Sequence, residues 1–330
     1  MAMAETTRIA VIGAGGWGYQ HARAFFERED TELVAIAGRN PEKTAKRAAA
    51  FGAKPYTDID QMLQAEKPDL VSICLPAQHN FEVTLNVIEK GFPVFAEKPL
   101  AYRLEHGRAL IDAAQRKELF FAIDFEQKYS IPCLKAQEAI RAGRLGTPVF
   151  ALWRFGHGWE SVMDHPHMNL IEAQCHGINM LETMCERIRS VSAEMTDTGG
   201  KGSFASFSLS LRFENGAVGS FLATVDADEH NRLSQLIEIG GTKGRILIED
   251  NVRRYSFQEK DSDTEEVWQA GFFDDDGRRF NKNLDRYLDD MLSALREGRR
   301  PPVPAEEGLR ALEIAYAAIE SFETGRRVEV

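Results

Sequence analysis

The sequence predicts an α/β domain built on a doubly wound parallel sheet, followed by an α+β domain with a largely antiparallel, open sheet. The chain has 330 residues, more than one compact core usually holds. Up to about residue 125, short apolar runs alternate with amphipathic helical segments, whereas alternation typical of hairpins prevails afterwards. We therefore predict a first domain over residues 1–126 and a second over residues 127–330.

The first domain is predicted from apolar runs that are rich in Val, Ile, Leu and Phe without polar alternation, as in strands covered on both faces. These runs are RIAVIG, ELVAIAG, LVSICL, PVFA and LFFAIDF. The segments between them have helical periodicity. They are YQHARAFFERE, PEKTAKRAAAFG, DIDQMLQAE, NFEVTLNVIEKG and RLEHGRALIDAAQRK. Strands that alternate with helices in this way predict a doubly wound sheet.

The second domain begins with a predicted helix, IPCLKAQEAIRAGRLG, a strand, TPVFALWRF, and a long helix, HMNLIEAQCHGINMLETM. Several predicted strands follow, and two helices close the chain. The strands are SFASFSLSLRF, AVGSFLATVDA, LSQLIEIGG, GRILIED and VRRYSFQEK, and the helices are NKNLDRYLDDMLSALREG and AEEGLRALEIAYAAIESFETG. The first two strands are joined by Glu214-Asn215-Gly216, a hairpin signal.

One face of this second sheet is a candidate subunit interface. Phe204, Leu209, Leu211 and Phe213 lie among small polar residues, so neither face is strongly polar. A sheet face without covering helices is a candidate contact between copies of the chain, in a homodimer or homotetramer. An ordinary, half-solvated sheet is the alternative.

The composition argues against several classes of partner. A formal charge of −11 disfavours nucleic acid and anionic membranes, which select basic surfaces. The longest apolar runs are too short to cross a bilayer, and the N-terminal segment has neither a basic lead nor an apolar signal core. The four cysteines lack CxxC spacing, so we expect reduced thiols. We predict a cytoplasmic protein with a small-molecule substrate.

A glycine-rich motif follows the first strand. Gly13, Gly15 and Gly18 form a GxGxxG, with Gly16 and Trp17 inside it. The glycines permit a tight turn, close approach of the backbone to a diphosphate, and close packing of helix on strand. The helix that follows supplies free N–H groups at its N-terminus. This context predicts a dinucleotide site in a Rossmann domain.

The end of the second strand indicates which dinucleotide binds. An NAD site usually has an acidic residue here for the ribose 2′-hydroxyl, whereas an NADP site supplies Arg for the 2′-phosphate. The chain reads Gly38-Arg39-Asn40, with Lys43 one turn into the next helix. We predict NADP(H) in preference to NAD(H), with NAD as the alternative cofactor.

Three motifs resemble the glucose-fructose oxidoreductase, inositol dehydrogenase and MocA (Gfo/Idh/MocA) family. They are the GxGxxG, Leu75-Pro76-Ala77-Gln78-His79, and Glu97-Lys98-Pro99 after the PVFA strand. The C-terminal segment GLRALEIAYAAIESFETGRRVEV is similar to that family's closing helix and strand, so the resemblance covers the whole chain. It implies an NAD(P)-dependent oxidoreductase that acts on a CH–OH group of a sugar, inositol or related polyhydroxy compound.

The resemblance also implies catalytic residues. Lys98 would lie near the nicotinamide and stabilise negative charge on the substrate oxygen. His176 matches the family's catalytic histidine, and helical spacing places Glu172 on the same face. The family commonly has Asp at position 172 and Asp at position 179, so Glu172 and Asn179 are departures. His176 would take the hydroxyl proton during oxidation, and Glu172 would orient and tune the pair of Lys98 and His176.

The remaining site predictions follow from these motifs. The predicted cofactor-binding residues are Gly13, Gly15, Gly16, Trp17, Gly18, Gly38, Arg39, Asn40, Leu75, Pro76, His79, Glu97 and Lys98. The predicted substrate-binding residues are Lys98, Lys128, Trp153, Arg154, His157, Trp159, Glu172 and His176.

Three alternatives stay open at this point. A metal could be bound by His165, His167, Glu172 and His176, although we predict none. A glycoside hydrolase of the same family would oxidise its sugar transiently and lose the glycosidic bond by elimination. A sugar or dinucleotide sensor would bind without chemistry.

Overall fold

The first sheet is the predicted doubly wound sheet. The computed structural model describes residues 6–158, 165–227 and 233–330. Six strands pair in parallel in the order β3-β2-β1-β4-β5-β6. The strands are β1 (Thr7–Ile12), β2 (Thr31–Ala37), β3 (Lys54–Tyr56), β4 (Leu70–Ile73), β5 (Val94–Ala96) and β6 (Phe121–Ile123). The helices between them are α1 (Gly16–Phe26), α2 (Pro41–Ala49), α3 (Ile59–Glu66), α4 (Ala77–Glu89) and α5 (Leu104–Arg116).

Strand β3 was not predicted from the sequence. It has only three residues and includes Pro55, which cannot donate to a neighbouring strand. It lies at the edge of the sheet, where a missing donor is tolerated. The predicted fold class is otherwise confirmed here, because every residue of the central strands β1, β4 and β5 is buried except Arg8.

The second sheet has nine strands in the order β14-β13-β12-β11-β7-β10-β9-β8-β15. Its pairs are antiparallel except for β7 with β10, which confirms a largely antiparallel sheet. The strands are β7 (Pro148–Gly156), β8 (Ile188–Thr196), β9 (Ser206–Phe213), β10 (Val218–Thr224), β11 (Gln235–Gly241), β12 (Gly244–Glu249), β13 (Arg254–Glu259), β14 (Glu265–Gln269) and β15 (Val328–Glu329). The helices are α6 (Ile131–Arg141), α7 (Cys175–Met184), α8 (Asp275–Arg278), α9 (Lys282–Arg296) and α10 (Ala305–Thr324).

Helices cover one face of this sheet: α6 packs on β12 and β13, and α7 packs on β7. On the other side of β7 and β10, Phe150, Val218 and Leu222 are exposed. Leu209, Leu211 and Phe213, which the sequence placed at a candidate interface, point the other way and are buried. Alternation along β9 therefore directs its serines outward. Assembly into a homodimer or homotetramer stays a prediction.

Two compact units emerge from the packing. The first contains residues up to Asp124 together with Tyr287–Leu309, and the second contains Phe125–Arg286 and Arg310–Val330. The returning segment joins the first unit through Tyr287, whose hydroxyl donates to the carbonyl oxygen of Ile123 at 2.9 Å. The division at residues 126 and 127 into cofactor-binding and substrate-binding parts stays a prediction.

Candidate functional site

A cavity of about 440 Å³ opens in the first unit at the carboxyl ends of β1 and β4. These two strands are neighbours in the sheet. From β1 the sheet continues through β2 to β3, and from β4 it continues in the opposite direction through β5 to β6, so the strand order reverses between β1 and β4. In open α/β sheets, ligands bind at this switch point. The predicted residues that line the cavity are Gly13, Gly15, Gly38, Arg39, Asn40, Leu75, Pro76 and His79.

The glycines of the motif have distinct steric roles. Gly13 has φ +129°, and a Cβ there would lie 2.2 Å from the carbonyl oxygen of Cys74. A Cβ on Gly18 would lie 1.9 Å from the carbonyl oxygen of Gly13. By contrast, no heavy atom lies within 4 Å of a Cβ added to Gly15 or Gly16. Tight packing beneath an open turn is therefore present, as a diphosphate cradle requires.

The first turn of α1 faces this open space without a side-chain cap. Its N-cap is Gly15, which has no side chain to accept from the helix N–H groups. Gly16 and Trp17 begin the helix and are exposed. Uncapped N–H groups and the helix dipole favour an anion at this position. The residues present thus fit a dinucleotide diphosphate.

The two packing classes of glycine give a testable contrast. We expect Gly18→Ala to lower Tm by several degrees, because its Cβ overlaps backbone atoms that cannot move independently. Gly16→Ala should leave Tm unchanged or slightly higher, since alanine is favoured over glycine within a helix. Calorimetry of the cofactor-free protein checks both. Equal Tm values for the two variants would contradict the assigned packing.

The end of β2 forms the part of the cavity where cofactors differ. Arg39 is exposed, and among the described residues its side chain has no hydrogen-bond or ion-pair partner. The Asn40 side chain instead caps α2 by accepting from the N–H of Lys43 at 2.9 Å. Thr44 lines the cavity with 1% of its surface exposed, and its Oγ1 has no hydrogen-bond partner within the described part of the chain. Polar groups without partners therefore surround this end of the cavity.

Glu97 and Lys98 directly follow β5 in the first unit. The Glu97 carboxylate is buried, and its Oε2 accepts the backbone N–H of Lys98 at 3.2 Å. The backbone N–H of Glu97 donates to the carbonyl oxygen of Ile73 on β4 at 2.9 Å. The Lys98–Pro99 peptide bond is cis. The turn that presents Lys98 is thus attached both to the sheet and to a buried carboxylate.

His176 lies in the second unit, in the first turn of α7. Its side chain is 6% exposed, and its Nε2 lies 3.7 Å from Oε2 of Glu126, which is 4% exposed. The ring also contacts Phe125 edge-on, with 5.5 Å between ring centroids. Glu126 belongs to a short 3-10 helix, Glu126–Tyr129, and was not among the predicted site residues. Its distance along the sequence from His176 explains why no local pattern indicated the pair.

The helix that should carry both Glu172 and His176 is interrupted. Glu172 lies in a π-helical turn, Asn169–Ala173, and α7 begins only at Cys175. Gln174 between them is not helical in its φ and ψ values. Glu172 and His176 therefore do not lie on one regular α-helix, because Gln174 separates the π-helical turn from α7. The catalytic role of Glu172 stays a prediction.

A chain of buried amides fixes this interruption. The indole Nε1 of Trp153 donates to Oε1 of Gln174 at 3.0 Å, and Nε2 of Gln174 donates to Oδ1 of Asn169 at 3.2 Å. Asn169 in turn donates to the carbonyl oxygen of Ala205 at 2.7 Å. Trp153 is 1% exposed and packs against Gly177 and Phe221. It supports the start of α7 from the core, and its indole has no accessible face for a sugar ring.

The other predicted substrate-binding residues are spread over the second unit. Lys128 is buried in the 3-10 helix, Arg154 donates to the carbonyl oxygen of Leu233 at 2.6 Å, and His157 lies directly after β7. Trp159 lies outside the described residues. His165 Nδ1 accepts the backbone N–H of His167 at 3.1 Å, and burial lowers the pKa of both histidines.

The described residues contain one convergent group of metal-ligand side chains: His21, Glu97 and Asp124, in the first unit. The sequence suggested a different set, namely His165, His167, Glu172 and His176. These residues do not form such a group within the described part of the chain.

Over the residues that the structure describes, no helix is both long enough and apolar enough to cross a bilayer.

Comparison with family models gives two matches that together span most of the chain. Residues 7–125 match the model described as an oxidoreductase family with an NAD-binding Rossmann fold. Residues 137–330 match the C-terminal alpha/beta domain of the same oxidoreductase family.

Individual relatives are similar over their full length. The chain is 25% identical to myo-inositol 2-dehydrogenase of Thermotoga maritima, covering 98% of both chains. It is 27% identical to D-glucoside 3-dehydrogenase of Escherichia coli, covering 98% of this chain and 97% of that one. Among solved structures, levoglucosan dehydrogenase in complex with NADH and levoglucosan has a TM-score of 0.88 at 21% identity, over 99% of this chain and 100% of that one. These relatives are dehydrogenases, so they give no support to the hydrolase and sensor alternatives.

Proposed function

Because the chain belongs to the Gfo/Idh/MocA family of oxidoreductases, we propose that it transfers hydride between a nicotinamide dinucleotide and the carbinol or keto carbon of a sugar, inositol or related polyhydroxy compound. The observation that carries this proposal is Lys98, held at the end of β5 by a buried Glu97 carboxylate in the unit that contains the dinucleotide cavity. The names of the inositol and glucoside dehydrogenase relatives support the substrate class.

The nicotinamide, when bound, supplies the hydride acceptor or donor. Gly13, Gly15 and the first turn of α1 would hold its diphosphate, and Leu75 and Pro76 would line the same cavity. The chain's own residues must then take up the proton of the substrate hydroxyl. Loss of hydride from carbon leaves a carbonyl only if the hydroxyl proton also leaves, so a base and a cation near the oxygen are both required.

Lys98 and His176 supply these two functions in the proposal. The Lys98 ammonium donates to the substrate oxygen and stabilises the negative charge that develops on it. The His176 imidazole accepts the hydroxyl proton in oxidation and returns it in reduction. Glu126, 3.7 Å from the imidazole, stabilises the cation that forms when the proton arrives. Glu172, in the adjoining π-helical turn, would orient and tune Lys98 and His176.

A screen of substrates and cofactors tests this proposal. Myo-inositol, a methyl glucoside, levoglucosan and their keto forms would each be mixed with the protein and with oxidised or reduced NAD and NADP. Turnover should appear as a change in the absorbance of the reduced nicotinamide. Cleavage of the glucoside without net change in the nicotinamide would replace the proposal with the hydrolase alternative. Tight binding of the compounds without any turnover would favour the sensor.

We propose NADP(H) as the preferred cofactor. The end of β2 lacks a carboxylate for a ribose 2′-hydroxyl, and Arg39 and Lys43 line that part of the cavity. A guanidinium binds phosphate through paired charge-assisted hydrogen bonds, and the Thr44 hydroxyl offers a further polar partner. Glu82 on α4 lines the same cavity and contributes one negative side chain to it.

Replacing Arg39 should separate the two cofactors. We expect Arg39→Ala to raise KM for NADP by about 10-fold or more, the cost of a charge-assisted phosphate contact, and to leave KM for NAD within about threefold. Lys46→Ala, an exposed change on helix α2, which begins shortly after Arg39, lies outside the cavity lining and should affect neither constant. A wild-type KM lower for NAD than for NADP would refute the preference.

A further inference from the structure

A buried histidine holds Glu97 from inside the first unit. His21 lies on α1, one helical turn after Gly18, with its side chain fully buried. Its Nδ1 lies 2.8 Å from Oγ of Ser72, and its Nε2 lies 3.1 Å from Oε1 of Glu97 and 3.1 Å from Oδ2 of Asp124. The imidazole therefore bridges two carboxylates with one nitrogen and a hydroxyl with the other.

This network lies where neighbouring strands end. Ser72 is on β4, Glu97 follows β5, and Asp124 follows β6. The backbone N–H of Asp124 donates to the carbonyl oxygen of Ala96 at 2.8 Å, which ties the ends of β5 and β6 together. The sheet thus fixes the spacing of both carboxylates, and α1 delivers the imidazole between them.

Electrostatics makes the network act as one unit. Burial raises the pKa of Asp124 to about 6, against the opposing effect of its hydrogen bond with His21. Burial by itself lowers the pKa of His21, but Cys74, Asp124 and Glu97 raise it well above its ordinary value. A buried carboxylate without a partner is costly, so loss of the imidazole would force the remaining groups to rearrange.

The network reaches Lys98 through Glu97. One carboxylate oxygen of Glu97 contacts His21, and the other accepts the backbone N–H of Lys98 at 3.2 Å. Asp124 also interacts electrostatically with Lys98. A rotation of the Glu97 carboxylate would therefore release the backbone from which the Lys98 side chain extends.

We propose that His21 is a positioning residue for Lys98: by bridging Glu97 and Asp124, it holds the Glu97 carboxylate that anchors the backbone N–H of Lys98. This inference rests on the proposed catalytic role of Lys98. The contacts lie wholly within the first unit. Misplacement of a catalytic group by about 1 Å can lower the rate of the chemical step about 100-fold.

Three substitutions separate the bridging role from simple core packing. His21→Gln keeps an N–H donor near the position of Nε2. His21→Phe keeps a ring that can pack on Phe95, which stacks with His21 at 5.1 Å between centroids, but removes the donor. Thr31→Val is the control for stability, because it removes a buried hydrogen bond from the Thr31 hydroxyl to the carbonyl oxygen of Phe25. Thr31 is the first residue of β2, at the end of the strand away from the cavity.

Two measurements read out the effect. Hydrogen exchange of the Lys98 amide, followed by NMR in the cofactor-free protein, reports the anchor without any substrate. We expect exchange to be about 10-fold faster in His21→Phe, and near the wild-type rate in His21→Gln and Thr31→Val. With the best substrate from the screen, kcat should fall about 10- to 100-fold in His21→Phe, with the Kd for the dinucleotide within about threefold of wild type.

The outcomes are distinct. The proposal is overturned if His21→Phe keeps the wild-type exchange rate at Lys98, or if His21→Gln is impaired as strongly as His21→Phe. It is also overturned if kcat follows Tm across all variants, Thr31→Val included. Lys98→Met is measured alongside. Full activity in that variant would refute the proposed role of Lys98. Loss of activity in Lys98→Met, together with wild-type kcat and amide exchange in the His21 variants, would refute the positioning role alone.

Discussion

Lys98→Met is expected to lower kcat/KM by about 100- to 1000-fold, the range seen when one donor to a developing oxyanion is removed. Methionine has a similar length and no charge, so it preserves packing while removing the ammonium. The hydrogen bond from the backbone N–H of Lys98 to the Glu97 carboxylate is unaffected by this change. The dinucleotide should therefore still bind, and the loss should appear in the chemical step. Stopped-flow measurement of hydride transfer, with dinucleotide affinity measured separately, checks both parts.

A matched control for Lys98 is available in the same unit. Lys117 is the C-cap residue that follows α5, and it is partly exposed beside Glu89, whose Oε2 lies 3.6 Å from its Nζ. Lys117→Met removes the same charge from the surface and should leave kcat/KM within about twofold, because exposed ion pairs contribute little. Retention of more than a third of the wild-type kcat/KM by Lys98→Met would remove the lysine from the mechanism.

His176→Asn is the second change with a large expected effect. We expect kcat for oxidation to fall by about 100- to 10,000-fold, as for loss of a general base. The pH dependence gives an independent signature. A protonated imidazole cannot accept the hydroxyl proton, so wild-type oxidation should decline as the pH falls, and this decline should be absent in the variant. Steady-state rates across the pH range, measured with saturating cofactor, check the prediction.

The controls for His176 address its surroundings. His106→Asn changes a histidine of α5 that stacks on Phe81, and it should keep both the rate and the pH profile of the wild type. Glu126→Gln keeps the shape beside the imidazole but removes the negative charge, so it should lower kcat less than His176→Asn does. If His176→Asn kept an unchanged acid limb, the titrating base would be another group.

Much of the first unit was predictable because its signals are local. The GxGxxG spacing, the apolar strands and the amphipathic helices each depend on residues within one or two turns of one another. Gly13 and Gly18 illustrate this: the turn between them brings their backbones into contact, so the need for glycine is visible in the motif itself. The second unit was less predictable. Strand β8 was missed, although Val191, Ala193 and Met195 alternate with polar residues along it.

In the candidate site, some residues could likewise be predicted from their neighbours in sequence and others could not. Lys98 could be identified from its sequence neighbours, but the groups that surround it could not. His21, Glu97 and Asp124 are far apart along the chain and meet because β1, β4, β5 and β6 adopt one order in the sheet. A buried histidine on a helix has no local pattern that distinguishes it from an ordinary core residue.

The sequence by itself determined the two kinds of sheet and the position of the dinucleotide motif, because short-range sterics and periodicity encode them. The tertiary structure decided which charges are paired. It placed Glu126, which lies far from His176 along the chain, 3.7 Å from the imidazole of His176. It also enclosed His21 with two carboxylates. Such pairings depend on how distant segments pack, and only burial makes their electrostatic interactions strong.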